Sequence, residues 1–423
     1  MKVLVIGEGG REHALVHALS QSPSVTEVHA IPGSDGMSRE AICHALDWRH
    51  FDPLLSFCLK TEIDYVFIGP ESPLVDGLAD RLRDRGILVV GPSKESAQLE
   101  GSKIFAKKFM QESGVPTAHF QIVSSVDQTM MAAGEFTPPY VLKADGLAGG
   151  KGVFICDTLP ELKSAARELF EEKILGEAGL SALLEQFTPG WELSFLILTN
   201  GREWSALPIA QDHKRLMEDD KGPNTGGMGT VAPLTISSAL RTQIESQVLQ
   251  PTVDLLAKKN MLYRGVLFIG LMIGKEGPSV LEFNCRFGDP ETQTILPLVD
   301  GDLGLIFKNL AQGKVTSLGQ KNLFASCVVL AAPGYPMKPE KNLPIEGEIH
   351  ASSEFSYFLH AGTKKDSQDH WLTRGGRVLN AIGLGSSLKE SLQNAYSQAG
   401  KVRWMGLQKR MDIGVHFKKS SAH

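Results

Sequence analysis

The stretch KADGLAGGKGV, residues 143–153, lies between two apolar runs, 140–143 and 153–156, that read as strands. Four of its eleven residues are glycine, and Lys143 and Lys151 stand near its two ends. Bare backbone N–H groups gathered with two ammoniums suit the phosphate tail of a nucleoside triphosphate. The stretch is not a Walker A loop: GxxxxGK[ST] requires glycine where Asp145 stands and Ser or Thr where Gly152 stands, and it joins a strand to a helix. The loop joins two strands instead, in a region that mixes antiparallel strands with helices as an α+β domain does.

The surroundings agree. Residues 160–170 carry Leu162, Ala166, Leu169 and Phe170 at helical spacing, and 183–187, 193–199, 266–273 and 280–284 read as strands with hairpin turns at Asn200-Gly201 and Lys275–Gly277. Upstream, residues 1–101 alternate short apolar strands (3–6, 64–68, 87–90) with a helix over 11–20, and Gly-Pro pairs stop the later strands. That pattern predicts a parallel sheet with helices on both faces. Downstream of about 320, strands at 326–331, 358–361 and 377–382 precede a helix over 388–402. Residues 212–233 have no clear periodicity, and loops of that length inside compact domains are usually functional.

The 423 residues carry 43 Lys and Arg against 48 Asp and Glu, a formal charge of -5. This balance argues against a nucleic-acid binder led by phosphate neutralisation. Hydrophobic content of 42% and charged content of 22% exclude chain-wide disorder. Cys43, Cys58, Cys156, Cys285 and Cys327 form an odd set without CxxC spacing, read as free thiols in a reducing compartment. The N-terminal apolar run is too short for a signal sequence, and none approaches the roughly 18 residues of a membrane span. The expectation is a cytoplasmic protein without membrane or nucleic-acid partners.

Four more motifs carry chemistry. GEGGREHA (7–14) follows a strand and opens a helix, an anion-binding arrangement. Glu12 occupies the third glycine position of the dinucleotide fingerprint, and no acidic residue ends the second strand, so a nicotinamide site is not expected. In LEFNCRFGDPET (281–292), Glu282, Asn284 and Arg286 share one face of an extended segment. A carboxylate and an amide oxygen two residues apart are hard ligands for Mg2+, Arg286 adds a fork for an oxyanion, and Asp289 and Glu291 are placed to fix an amine or hydroxyl. QDHKR (211–215) and GPNTGGMG (222–229) put Asp212, Lys214 and Arg215 near a glycine turn, with His213 read as structural. LEQFTPGWELS (184–194) sets Glu185, Gln186 and Phe187 at a strand end, with Glu192 across a Pro-Gly turn.

Taken in order, GEGGREHAL, GPESPL, LEGSK, KADGLAGGKGV, QDHKR, GPNTGGMG, EFNCRFGDPET and HAGT resemble the phosphoribosylamine–glycine ligase family of ATP-grasp enzymes over essentially the whole chain. The resemblance implies a Rossmann-like pre-grasp domain (1–101), an ATP-grasp domain (102–320, with a mobile subdomain over about 118–190) and a small C-terminal domain (321–423), an α/β and α+β multidomain fold. The implied reaction joins glycine to 5-phosphoribosylamine with ATP and Mg2+ (or Mn2+), in de novo purine synthesis, by a monomer. Another ATP-grasp carboxylate–amine ligase is the alternative.

By that likeness Lys103 and Lys143 meet the ATP phosphates under a loop containing Gly149, Gly150, Lys151 and Gly152. Glu185 and Phe187 meet the adenine, Glu192 the ribose, and Glu282 and Asn284 the metal. Gly9, Gly10, Glu71, Asp212, Lys214, Gly226, Arg286, Asp289 and Glu291 fall in the phosphoribosylamine and glycine sites, with Arg286, Asp212 and Lys143 as the catalytic set. The chain departs from the family pattern at Glu8, Met37 and Trp191, which bears on phosphoribosyl contacts.

Overall fold

The computed structural model describes residues 1–149 and 151–415, so Gly150 lies outside the described residues. The first sheet is parallel throughout, in the order Ile42–Cys43, Glu27–Pro32, Lys2–Gly7, Tyr65–Ile68, Val89–Val90. Strand alternation splits its core in two. Val3 and Val5 pack with Leu15 and Leu19 of the helix Gly10–Ser20. Leu4 and Ile6 face the other way, against Leu54 of Phe51–Thr61 and Leu82 of Leu78–Arg83. A sheet buried on both faces leaves only its strand ends for ligands. At that end Gly7 and Gly69 both press on the Glu12 side chain, where a Cβ on either glycine would collide with it. Met37 is fully buried in the same core.

Two antiparallel four-stranded sheets follow. One has the order Phe120–Val123, Ala182–Gln186, Tyr140–Ala144, Val153–Cys156, and the helices Val126–Ala132 and Leu159–Phe170 contribute to its core. The other has the order Trp204–Ala206, Trp191–Thr199, Gly265–Gly274, Gly277–Asn284, and packs on the helices Lys103–Ser113 and Gln250–Lys258. Lys143 crosses from the first sheet to the second, donating to the Leu281 carbonyl at 3.4 Å.

The segment 212–233, without periodicity in the sequence, is largely strand. Arg215–Met217 pairs with Lys221–Asn224, and Gly229–Ala232 enters a five-stranded antiparallel sheet between Gln211–Asp212 and Phe324–Ala331. Arg377–Gly385 and Ser356–His360 complete that sheet, which therefore draws strands from both sides of residue 320. Four residues ending near a proline give too little local signal, and the pairing partners are distant in the chain. The terminal helix is also shorter than expected, Leu388–Ala399 with Gly400 as its cap. Buried Val402 instead joins a two-residue strand paired with Glu346–Gly347.

Candidate active site

The glycine-rich loop is tied to the start of the helix Lys103–Ser113 by Asp145. Its carboxylate accepts from Ser102 Oγ and Ile104 N, both at 2.8 Å, and its carbonyl accepts from Lys103 N at 3.0 Å. Asp145 thus fixes Lys103 relative to Lys143 two residues before it. Lys143 ends on Glu185 at 2.9 Å, and Lys107, absent from the sequence-based set, ends on the same oxygen at 3.0 Å. Burial pulls the Lys107 pKa down to about 8, with Glu185 opposing it. The other Glu185 oxygen is buried with no hydrogen-bond partner among the described residues. Gly149 and Lys151 are exposed, Gly152 is buried, and Phe187 is half-buried at the end of the strand that carries Glu185.

The expected alternation at 282–286 is present: Phe283 and Cys285 are buried, whereas Glu282 opens to solvent and Asn284 and Arg286 are half-buried. Burial by the surrounding protein would raise the Glu282 pKa, but Lys103, Lys214, Lys143 and Arg286 outweigh it and hold the carboxyl below its ordinary value. One ionised carboxylate and one amide oxygen are the donors Mg2+ takes together with phosphate oxygens. Among the described residues no group of three or more His, Cys, Asp or Glu converges on a metal position. The pair therefore fits a metal whose shell is completed by a phosphorylated ligand. Arg286 pairs with Glu100 at 2.7 Å and with Glu71 at 3.5 Å, and Arg11 reaches Glu71 at 3.8 Å. Glu100 also accepts from Cys285 N at 2.7 Å, anchoring the strand end to the segment before residue 101.

Asp212, Lys214 and Glu291 form a second cluster. Lys214 lies 2.7 Å from Asp212 and 3.7 Å from Glu291, and Ser194 Oγ donates to Glu291 at 3.0 Å. Burial works against the Lys214 charge, but Asp212, Glu291 and Glu192 outweigh it and raise its pKa. Enclosure raises the Glu192 pKa, Lys214 opposing and Asp212 and Glu282 adding repulsion, so Glu192 belongs to the same field. The turn Gly226-Gly227 closes over this cluster. Gly227 has φ +115°, and a Cβ there would meet Pro290 and the Asp212 carboxylate. His213 is structural, as expected: Nδ1 bonds the Gly229 carbonyl and Nε2 accepts from Gly414 N, both at 3.0 Å.

A third group sits where all three parts of the chain meet. Asp289 pairs with Arg377 at 3.2 Å and accepts from Gln293 at 2.8 Å, while Arg377 also donates to the carbonyls of Gly226 and Asp289. Gly10 is confined, since a Cβ there would approach Asn380 Nδ2 to 2.6 Å and Gln293 Nε2 to 3.0 Å. A cavity of about 280 Å³ opens here, lined by Gly9, Gly10, Asp289, Arg374 and Arg377 among others. A larger hollow of about 580 Å³, lined by Asp80, Lys94 and Asn260, holds none of these groups.

The structure gathers Lys103, Lys143, Glu282, Asn284, Arg286, Asp212, Lys214 and Glu291 in one connected field, with Gly9, Gly10, Glu71, Gly226 and Asp289 along its edge toward the first sheet. Sequence reasoning missed Lys107, Glu100, Arg374 and Arg377. Glu100 alone had a signal, standing in the LEGSK motif.

Three family models together match most of the chain: phosphoribosylglycinamide synthetase N domain over residues 1–100, ATP-grasp (A) domain over 101–292, and C domain over 325–416. A phosphoribosylamine–glycine ligase of Caldanaerobacter subterraneus subsp. tengcongensis is 40% identical over 421 residues, 99% of this chain and 100% of that protein. The ligase of the same name from Pseudomonas aeruginosa is 41% identical over 422 residues, 98% of this chain and 97% of its own length. The crystal structure of phosphoribosylamine–glycine ligase from Thermotoga maritima, 36% identical, superposes with a TM-score of 0.86 over 98% of this chain and 100% of that one. Full-length identity at this level, with three family models matched in sequence along the chain, leaves one assignment: the chain belongs to the phosphoribosylglycinamide synthetase family, with its N, ATP-grasp and C domains in order.

Proposed function

We propose that the chain joins glycine to 5-phosphoribosylamine, converting ATP to ADP and phosphate and yielding glycinamide ribonucleotide by way of glycyl phosphate. The observation that carries this reading is the field of Lys103, Lys143, Lys214 and Arg286 around Glu282, bordered by the carboxylates Asp212, Asp289 and Glu291. Cations suit phosphoryl transfer, and carboxylates suit the binding of amines.

A free carboxylate does not acylate an amine at neutral pH, because its leaving group is oxide. A glycine carboxylate oxygen attacks the γ-phosphorus, the bond to ADP breaks, and the resulting acyl phosphate carries phosphate as a good leaving group. Lys103 and Lys143 hold the triphosphate, and Arg286 holds the glycine carboxylate or the moving phosphoryl group, lowering the cost of the charge that spreads over its oxygens. Glu282 and Asn284 would hold Mg2+ or Mn2+, which when bound neutralises phosphate charge. The phosphoribosylamine nitrogen then attacks the acyl carbon, a C–N bond forms as the C–O bond to phosphate breaks, and the proton the nitrogen loses leaves with the phosphate. Asp212 or Asp289 orients that amine, with Glu291 steadying Lys214. The loop of Gly149, Gly150, Lys151 and Gly152 shields the acyl phosphate from water. Glu185 and Phe187 bound the adenine pocket and Glu192 takes the ribose. Gly9, Gly10, Glu71 and Gly226 line the phosphoribosylamine side.

The same reading has the enzyme act as a cytoplasmic monomer on small molecules alone. No helix among the described residues is long and apolar enough to cross a membrane. The test is ADP release with ATP and Mg2+, adding glycine and phosphoribosylamine singly and together. Release that needs both, and is lost when alanine or formate replaces glycine, is expected. Release with a different carboxylate would move the substrate, and silence in every mixture would overturn the ligase reading.

A further inference from the structure

The 280 Å³ cavity has a carboxylate on its wall, Glu8, immediately before Gly9. Both Glu8 oxygens meet the Arg374 guanidinium, Oε2 from Nη1 at 2.8 Å and Oε1 from Nη2 at 3.3 Å. The two side chains come from opposite ends of the chain and remain 45% and 49% exposed. Among the described residues the Arg374 guanidinium makes no other hydrogen bond or ion pair. Arg377, the cavity's second guanidinium, is already committed to Asp289 and two carbonyls.

Each cation on the wall thus has its own carboxylate, and the cavity is electrically balanced before any anion enters. A guanidinium fork holds a carboxylate or a phosphate in the same bidentate geometry. An exposed ion pair contributes little net stability, so exchanging its anion costs little. A phosphate monoester entering while Glu8 stays in place would face Glu8 and Asp289 together.

We propose that Glu8 is a displaceable gate on the phosphoribosyl subsite: its carboxylate occupies Arg374 until the substrate's phosphate takes its place. This rests on the ligase reading above and adds a specificity residue to it. Weak anions fail to compete with an internal carboxylate held at high local concentration, whereas a dianionic phosphate monoester binding across the cavity succeeds. Glu8 lowers the affinity of every anion alike, so that at a given concentration the weakly held ones leave Arg374 to Glu8 and only a tightly held phosphate displaces it.

The test uses the full-length enzyme as wild type, Glu8→Gln, Arg374→Met and the double variant. Glu8→Gln is expected to lower KM for phosphoribosylamine about tenfold, leaving KM for ATP and glycine unchanged, and to make inorganic phosphate a stronger competitor against phosphoribosylamine. Arg374→Met is expected to raise that KM, and adding Glu8→Gln to it is expected to change nothing further. A KM for phosphoribosylamine that rises or stays unchanged in Glu8→Gln overturns the gate, as does an effect that persists without Arg374. Calorimetric titration with inorganic phosphate separates this proposal from the ligase reading. Tighter phosphate binding by Glu8→Gln than by wild type, lost with Arg374→Met, supports the gate even if no ligation occurs. Equal binding by wild type and Glu8→Gln overturns it even if ligation is normal.

Discussion

Lys107 and Lys143 end on the same carboxylate oxygen of Glu185, at 3.0 and 2.9 Å, with all three side chains largely buried. One charge therefore stabilises two. Removing it leaves the largely buried Lys107 and Lys143 without their shared carboxylate, and breaking a buried pair in this way costs about 3–5 kcal/mol. Glu185→Gln is expected to lower unfolding stability by about that amount in urea titration, and to raise KM for ATP as Lys143 loses its anchor. Unchanged stability would show that Glu185 does not bind the two lysines together.

Glu282 differs because it faces solvent while four cations surround it. Glu282→Ala is expected to reduce turnover by about a thousandfold, the size of effect that several kcal/mol of lost charge stabilisation produces. Its melting midpoint should move little, since a solvent-facing truncation costs about 1 kcal/mol. Near-normal turnover in this variant would remove Glu282 from the proposed metal site.

Gly227 is the point where the Gly226-Gly227 turn touches the Asp212 cluster. A methyl group there meets Pro290 and the Asp212 carboxylate, and φ of +115° is poorly tolerated by any L side chain. Gly227→Ala is expected to destabilise the protein by about 1–3 kcal/mol and to raise KM for the amine substrate more than KM for ATP. Steady-state kinetics with each substrate varied in turn checks the split.

Glu40 lies 2.8 Å from His17 and 3.5 Å from His13 of the helix Gly10–Ser20, and His13 in turn ties that helix to the C-terminal sheet by accepting from the His360 amide at 2.8 Å. Burial raises the Glu40 pKa, but the hydrogen bonds to His13 and His17 outweigh it and hold it well below the ordinary value of 4.5. A depressed carboxylate pKa contributes stability above its unfolded value and loses it as pH falls through the folded one. Glu40→Gln is therefore expected to be about 1 kcal/mol less stable than wild type at pH 7, with the gap closing below about pH 4. A gap that widens below about pH 4, where Glu40 itself takes up its proton, would reverse the sign and discard the pair as its source.

What the sequence revealed was local in origin. Strand alternation has period two, so five residues sufficed to place Glu282, Asn284 and Arg286 on one face, and the apolar run 3–6 sufficed for a doubly covered strand. Lys107 stayed hidden because its meaning depends on Glu185, far along the chain, and a lysine on an amphipathic helix otherwise reads as a solvated face. Arg374 and Arg377 sit beside Gly375 and Gly376 with no local pattern, and their role follows from contacts to Glu8 and Asp289. The strand Gly229–Ala232 was missed for the same reason, its ladder partners lying at 325–328.

That strand also orders events during synthesis. On the ribosome, the segment carrying Asp212 emerges well before the strand Phe324–Ala331 against which Gly229–Ala232 is laid. Until that later strand appears, one edge of Gly229–Ala232 has no ladder, and Asp212, paired through Thr230, has nothing firm behind it. A nascent chain can assemble its first sheet while the sheet behind Asp212 is still unbuilt. The strand Phe324–Ala331 thus completes the sheet behind Asp212, and a fragment released before that strand is made lacks this backing.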